Sequence, residues 1–145
     1  MLICDQYIAL RAIADDLPDE LREEHLAIAS SHYWLLLRAA AKHRDPAAGV
    51  LGRLSRLIAE LSPSTMDELA APSPDIIEVL DFREYARASA NAAHEFGLKW
   101  LVADLVGSAL HYQAPLCFGR EGNVPPAIKS DDRQPLVRYT VFGNS

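Results

Sequence analysis

The chain has 145 residues, of which 50% are hydrophobic and 23% charged, and its formal net charge is −6. This length suits one domain with its own core, and the composition excludes a chain that is disordered throughout. The net negative charge disfavours nucleic acid as a partner. Because no uncharged run could cross a bilayer and the first residues lack the apolar stretch of a secretory signal, we expect a cytoplasmic protein with no membrane contact.

Charge changes sign along the chain. Acidic residues dominate positions 1–24 and 60–84, whereas arginine and lysine dominate positions 38–56. Such blocks are usual on solvated helix faces, and the acidic blocks would also suit docking on a basic surface. The charge pattern therefore predicts a protein partner with a basic surface.

The first helical pattern begins at Asp5. Apolar residues recur after it at helical spacing, and the aspartate is placed to cap the helix. Pro18 and the acids that follow it predict the first turn of a second helix, which runs to about Arg44. The stretch YWLLLRAAA at 33–41 is apolar around nearly its whole circumference and indicates a central position in the fold.

Asp45 followed by Pro46 predicts the start of a third helix, with Arg53 and Arg56 on its polar side. The apolar seam of this helix consists of Val50, Leu51, Leu54, Leu57, Ile58 and Leu61. Downstream, the segment IIEVL at 76–80 fits a helical turn and a short strand equally well.

A long closing helix is the next prediction. Asp81 is placed to cap it, and the helical pattern runs from Phe82 to about Gln113 with a bend at Gly97. Residues 96–113 are apolar on almost every side, so the rest of the chain, a second copy or a partner must cover them. Small residues form a stripe where another backbone would come closest: Ala90, Ala93 and Gly97. A homodimer, or a self-assembling structural protein, is therefore one alternative.

Asp104, Ser108 and His111 interrupt this apolar surface along one helix face. They are the residue types of a hydrolase triad, but Ser108 lies in mid-helix, where no backbone N–H group is free to stabilise an oxyanion. A buried Asp104 needs a partner because an unpaired buried charge is costly, and Arg38 is one possible partner. We therefore predict no catalytic residue and a binding or architectural role for this face.

No metal-binding or cofactor-binding motif is complete in the sequence, and none is predicted. His94 and Glu95 open a zinc-protease pattern, which Leu98 breaks because a second histidine belongs there. His25 and His32 share a face of the predicted second helix, but about 10 Å along its axis separates them. That distance is too long for one ion without further ligands.

The helical pattern ends at Pro115. The segment LVRYTVF at 136–142 alternates and is rich in β-branched and aromatic residues, which predicts a strand, and LCF at 116–118 is a possible partner for it. Cys4 and Cys117 belong to no metal-binding spacing, and we expect reduced thiols.

These patterns predict a mainly all-α protein, with a bundle of about four or five helices over residues 1–114. An irregular, proline-rich extension over residues 115–145 is expected to form a short strand or hairpin. Acidic charge without a catalytic motif favours a small protein-binding protein of the inhibitor, immunity-protein, antitoxin or secretion-chaperone type. Its predicted binding residues are Asp104, Ser108, His111, Gly97, Arg53 and Arg56.

Two further functions stay open at this point. A small hydrolase or metal-dependent enzyme could use the histidine and aspartate residues. A helical regulator could contact DNA with Arg53 and Arg56 while its acidic residues face away from the DNA.

Overall fold

A computed structural model describes residues 1–45, 52–129 and 135–142. Its strands are β1 (Leu2–Cys4), β2 (Leu26–Ile28), β3 (Glu78–Val79), β4 (Leu116–Phe118) and β5 (Tyr139–Val141). They form one five-stranded sheet in the order β3-β2-β1-β4-β5, in which every neighbouring pair is parallel. Its helices are α1 (Gln6–Ile13), α2 (Ser30–Arg44), α3 (Arg53–Ala59), α4 (Pro63–Ala70), α5 (Phe82–Phe96), α6 (Trp100–Tyr112) and α7 (Pro126–Lys129).

The prediction of an all-α bundle is therefore wrong, since the chain has an α/β fold around a parallel sheet. The strands have at most three residues each, and β1, β2 and β4 are almost entirely buried. A parallel strand that is covered on both faces has no alternation of apolar and polar residues. Such strands are hard to distinguish from one apolar turn of a helix.

The predicted second helix, from Pro18 to Arg44, divides into three elements. A 3₁₀ turn covers Asp19–Leu21, β2 follows, and α2 begins only at Ser30. The apolar residues of β2 lead directly into those of α2, which is why the sequence pattern reads as one continuous helix.

The predicted closing helix is a helical hairpin instead of one bent helix. Gly97 adopts the left-handed conformation, with φ +64°, and ends α5, while α6 begins at Trp100. The two helices touch at Gly107, where an added Cβ would lie 2.4 Å from Cα of Ser89. The small residues at 90–97 and Asp104 therefore do not form one continuous helix face.

Other local predictions are confirmed. Asp5 caps α1, Asp81 caps α5, and LCF forms β4, which pairs with β5. The pairing of β4 with β5 is parallel, so these strands do not form a hairpin. In the predicted third helix, Val50 and Leu51 lie outside the described residues, and α3 begins at Arg53.

Apolar cores cover both faces of the sheet. Cys4, Ile28 and Cys117 face the core that α1, α2, α3 and α4 build. Ile3 and Leu116 face the opposite core, which belongs to α5, α6 and α7. Neighbouring strand residues point to opposite faces, so short apolar strands can serve both cores. None of the helices in the described part of the chain is both long and apolar enough to cross a membrane.

The strand order creates one topological switch point. From β1 the chain moves outward to β2 and β3, and it then returns to the other side of β1 to form β4 and β5. The loops after β1 and β4 therefore diverge at the carboxyl edge of the sheet. In open α/β sheets this divergence forms the crevice in which ligands bind.

Candidate functional site

Asp5 joins the two loops at the switch point. It directly follows β1, and only 3% of its surface is exposed. Its Oδ1 accepts a hydrogen bond from the backbone N–H of Ile8 at 2.8 Å. Its Oδ2 accepts from the backbone N–H of Gly119 at 3.1 Å and from the side-chain amide of Asn123 at 3.3 Å. Both oxygens of Asp5 are thus used to hold the loop after β4 against the start of α1.

The electrostatics of Asp5 reflect this position. Burial raises the pKa of the Asp5 carboxyl group, while its hydrogen bonds to Ile8, Gly119 and Asn123 act in the opposite direction. The carboxylate also lies at the N-terminus of α1, where the helix dipole favours a negative charge. Asp5 is therefore a buried acid with a complete set of partners.

A basic crevice opens beside this junction. It consists of two cavities of about 530 and 260 Å³ that share Tyr7 and Arg53 in their walls. The larger cavity also includes Gly119 and Asn123, which are the residues that Asp5 holds in place. Its volume falls within the usual range for small-molecule sites.

Positive side chains dominate the walls of the basic crevice. The cations are Arg11, Arg38, Lys42, Arg53 and Arg120, and the acids are Asp16 and Glu60. Five cations against two acids give a local charge of +3, in a chain whose net charge is −6. The crevice is thus a positive region on an acidic protein.

The cations differ in how they are held. Arg11 lies 3.9 Å from the carboxylate of Asp16, and Arg120 donates to the side-chain oxygen of Asn123 at 3.2 Å. The guanidinium carbon of Arg53 lies 4.9 Å from the centre of the Tyr7 ring, a cation–π contact that orients the side chain without neutralising it.

Arg38 and Lys42 resemble Arg53, because their positive charges are not neutralised by a neighbouring acid in the described part of the chain. Within the described ranges, no carboxylate forms an ion pair with Arg38, Lys42 or Arg53. The charge of these three side chains is therefore available to an anionic ligand.

A second buried carboxylate, Asp104, lies under the first turn of α2. It is fully buried, and its Oδ2 accepts hydrogen bonds from the backbone N–H of Ser31 at 3.0 Å and from the Ser31 hydroxyl. Its Oδ1 has no hydrogen-bond partner among the described residues. The predicted partner Arg38 does not fill this role, because its guanidinium lies over Trp34.

His32 completes the buried network around Asp104. Its Nδ1 lies 2.9 Å from the Ser31 hydroxyl, whose only proton goes to Asp104, so the imidazole carries a proton on Nδ1 and donates it to the serine oxygen. Burial lowers the pKa of His32 to about 4, against the opposing effect of the Asp104 charge. At neutral pH His32 is therefore uncharged and does not compensate Asp104.

An aromatic cleft of about 270 Å³ lies above this network. Its walls are formed by Ser30, Ser31, Trp34, Phe82 and Trp100. Ser30 and Phe82 come soon after β2 and β3, so the cleft also lies at the carboxyl edge of the sheet. The two tryptophan rings meet edge to face, with their centres 6.4 Å apart.

Arg38 connects the aromatic cleft with the basic crevice. Its guanidinium carbon lies 5.5 Å from the centre of the Trp34 ring, and its side chain also lines the smaller cavity of the crevice. The two openings are therefore neighbours along α2.

The structure separates the predicted binding residues. Asp104 and Ser108 are buried, and the Ser108 hydroxyl donates to the backbone carbonyl of Leu105 in its own helix at 2.8 Å. His111 is exposed and packs edge to face against Tyr112. Asp104, Ser108 and His111 thus occupy one helix without forming one hydrogen-bonded group.

The other predicted binding residues, Gly97, Arg53 and Arg56, also lie in different places. Gly97 lies at the exposed turn between α5 and α6 and lines neither the basic crevice nor the aromatic cleft. Arg53 lines both cavities of the basic crevice, whereas Arg56, one turn later in α3, lines neither. Arg53 is therefore the predicted residue that the structure brings into the crevice.

Sequence reasoning missed most of the crevice. It assigned Asp5 only as a helix cap and did not consider Tyr7 or Arg120 together with Arg53. One usable signal was present, because Asp5 and Gly119 directly follow the two apolar segments LIC and LCF. Short apolar segments that end in a polar residue or a glycine are typical of parallel strands whose loops carry a site.

No family model, curated protein or solved structure matches the chain. Among the described residues, no group of three or more histidine, cysteine, aspartate or glutamate side chains is placed to hold a metal ion. We therefore infer function from the geometry of the basic crevice and its surroundings.

Proposed function

We propose that the protein binds a phosphorylated ligand in the basic crevice. The observation that carries this proposal is the local charge of +3 at the switch point of a chain with net charge −6. Phosphate groups are among the anions that guanidinium groups bind with paired, charge-assisted hydrogen bonds. Arg38 and Arg53 would supply such bonds, and Lys42 would add a further charge.

The position of the crevice supports the same proposal. Ligands of open α/β sheets bind at the switch point, and here Asp5 fixes the loop that forms one wall of the crevice. Arg53 is already oriented by Tyr7, so less conformational freedom is lost when a ligand binds. Asp5 is thus a positioning residue, and the cations are the binding residues.

The test is a titration of the isotope-labelled protein, followed by NMR, with pyrophosphate, ribose 5-phosphate and a short single-stranded RNA. We expect shifts at Tyr7, Arg53 and Gly119, and an affinity that weakens as salt rises from about 50 to 500 mM. Equal affinity for pyrophosphate, ribose 5-phosphate and the RNA would assign the site to a small phosphorylated ligand. Affinity that rises with RNA length would assign it to a polynucleotide backbone.

A double variant that removes two positive charges, Lys42→Gln with Arg53→Gln, is expected to weaken the affinity by about tenfold or more. The matched control is Arg87→Gln, because Arg87 is exposed on α5 and lines neither cavity. Unchanged affinity in the double variant, or no binding of any of the three ligands, would contradict the proposal.

The expected basic protein partner stays a prediction. One observation favours it, because the turn before β2 exposes four acids: Asp19, Glu20, Glu23 and Glu24. This turn precedes a strand and so lies at the amino edge of the sheet, opposite to the crevice. Host proteins that bind equally well to the chain and to a variant with these four acids neutralised would contradict this role.

A further inference from the structure

We infer that the phosphorylated ligand carries a planar aromatic ring, as a nucleotide does, and that this ring binds in the aromatic cleft. The inference depends on the proposed phosphate site and adds a second group of contacts to it. Three features of the molecule support it: the exposure of the cleft, its contact with the crevice through Arg38, and the polar groups at its base.

The cleft exposes large aromatic surfaces to water. Trp34 is 49% exposed and Trp100 is 57% exposed, and both line the same opening. Exposed aromatic surface of this kind is found at binding sites, because stacking against another ring removes it from water. A planar ring is the ligand shape that stacks on exposed aromatic faces of this kind.

Arg38 links the aromatic ring of the proposed ligand to its phosphate group. Its guanidinium lies over the Trp34 ring and also forms part of the basic crevice. A phosphate bound to Arg38 would thus have its organic part within reach of Trp34. Positive charge next to stacking aromatic side chains is the combination that binds bases and phosphates together.

The other aromatic residue of the crevice is less suitable for the ring. Tyr7 is half-buried, and Arg53 already covers its ring at 4.9 Å. A ligand ring would have to displace this contact at Tyr7. In the aromatic cleft, Arg38 also lies over the Trp34 ring, but among the described residues no cation lies over the ring of Trp100, which is 57% exposed.

The polar groups at the bottom of the cleft favour a ring that carries a hydrogen-bond donor. The Ser30 hydroxyl donates its proton to the carbonyl of Leu80 at 2.6 Å, so its oxygen can still accept a hydrogen bond. The Ser31 hydroxyl proton is used by Asp104. The base therefore offers an acceptor and favours a ring with an N–H donor, such as an amino-substituted base.

Tryptophan fluorescence tests this inference directly, since the chain has two tryptophans and both line the cleft. The probes are AMP, ribose 5-phosphate and adenosine. We expect AMP to quench the fluorescence and to bind about tenfold more tightly than ribose 5-phosphate. Adenosine is expected to bind more weakly than AMP, because it lacks the group that Arg38 holds.

The variant Trp100→Leu is expected to reduce the affinity for AMP to about that for ribose 5-phosphate, and to leave ribose 5-phosphate binding unchanged. Phe96→Leu is the matched control, an exposed aromatic residue that does not line the cleft. Unchanged ribose 5-phosphate binding also shows that the variant is folded.

The outcomes separate the two proposals. Equal affinity for AMP and ribose 5-phosphate, or AMP binding that Trp100→Leu leaves unchanged, would overturn the aromatic site while the phosphate site stands. Adenosine binding as tightly as AMP would overturn the link through Arg38. Failure of both phosphate ligands to shift the NMR signals of Arg53 would overturn the phosphate site itself.

Discussion

Two buried aspartates lie near the carboxyl edge of the sheet, and their surroundings differ. Asp5 uses both oxygens, which accept from Ile8, Gly119 and Asn123. Asp104 uses one oxygen, which accepts twice from Ser31, and its other oxygen has no partner among the described residues. The first carboxylate ties two loops of the sheet together, whereas the second holds the start of one helix.

The difference shows that burial alone does not define the role of an acid. The partners of Asp5 come from the start of α1 and from the loop after β4, so the shape of the basic crevice depends on both of its oxygens. The bonds of Asp104 all involve Ser31, and the neutral His32 beside it adds no compensating charge. We expect the two regions to respond differently to added volume, to acid and to loss of charge.

An added methyl group should have the largest effect on stability where α6, the helix that carries Asp104, packs against α5. The same addition beside the basic crevice should have little effect. In Gly107→Ala the new methyl group would meet the backbone of Ser89 at 2.4 Å, so α5 and α6 must move apart. We expect the free energy of unfolding to fall by about 3 kcal/mol in urea titrations. Gly52→Ala is the control beside the crevice, where nothing lies within 4 Å, and it should change stability by less than about 0.5 kcal/mol.

Acid should act on the Asp104 region through His32. Its pKa is lowered from 6.5 to about 4, so the unfolded chain binds a proton before the folded protein does. Stability is therefore complete above pH 6.5 and is lost as the pH falls towards 4, by about 2 kcal/mol between pH 7 and pH 5. Comparing urea titrations of the wild type and His32→Gln at both pH values isolates this effect.

The control for the acid experiment is His25→Gln, because His25 is exposed beside Glu78. This variant should keep the acid sensitivity of the wild type. If His32→Gln loses as much stability in acid as the wild type does, the buried histidine is not the cause.

Removing the carboxylate charge should lower the free energy of unfolding more at Asp5 than at Asp104. In Asp5→Asn an amide group replaces one acceptor, so the N–H of Gly119 or of Ile8 loses its partner, at a cost of about 1.5 kcal/mol. In Asp104→Asn the remaining oxygen can still accept from Ser31, and removal of a buried charge offsets the cost of an amide NH2 group without an acceptor. We expect a change below about 0.5 kcal/mol for Asp104→Asn, and similar losses for both variants would contradict the comparison.

The pH dependence of Asp5→Asn provides a second measurement. The pKa of Asp5 is raised in the folded protein, so its protonation contributes stability at low pH, and this contribution is lost as the pH rises through the folded pKa. Relative to the wild type, the disadvantage of Asp5→Asn should therefore grow as the solution becomes more acidic, because the variant lacks this gain in stability. A difference that does not change with pH would contradict the raised pKa.

Several local features could be predicted because each depends on a few neighbouring residues. The caps at Asp5 and Asp81 follow from side-chain oxygens close to a free N–H, and the strand at Tyr139 follows from its β-branched and aromatic neighbours. The bend at Gly97 was also expected, although it proved to be the end of a helix. The candidate site could be predicted only in part, through Arg53.

The sequence by itself determined where α1 and α5 begin, because a side-chain cap acts over a few neighbouring residues. Only the tertiary structure decided that LIC, LAI and LCF are strands, because a parallel strand is stabilised by hydrogen bonds to distant segments and a short apolar run carries no period of its own. The pairing of β1 with β4 also brings Gly119 to Asp5, and the contact of Arg53 on α3 with the Tyr7 ring on α1 completes the crevice.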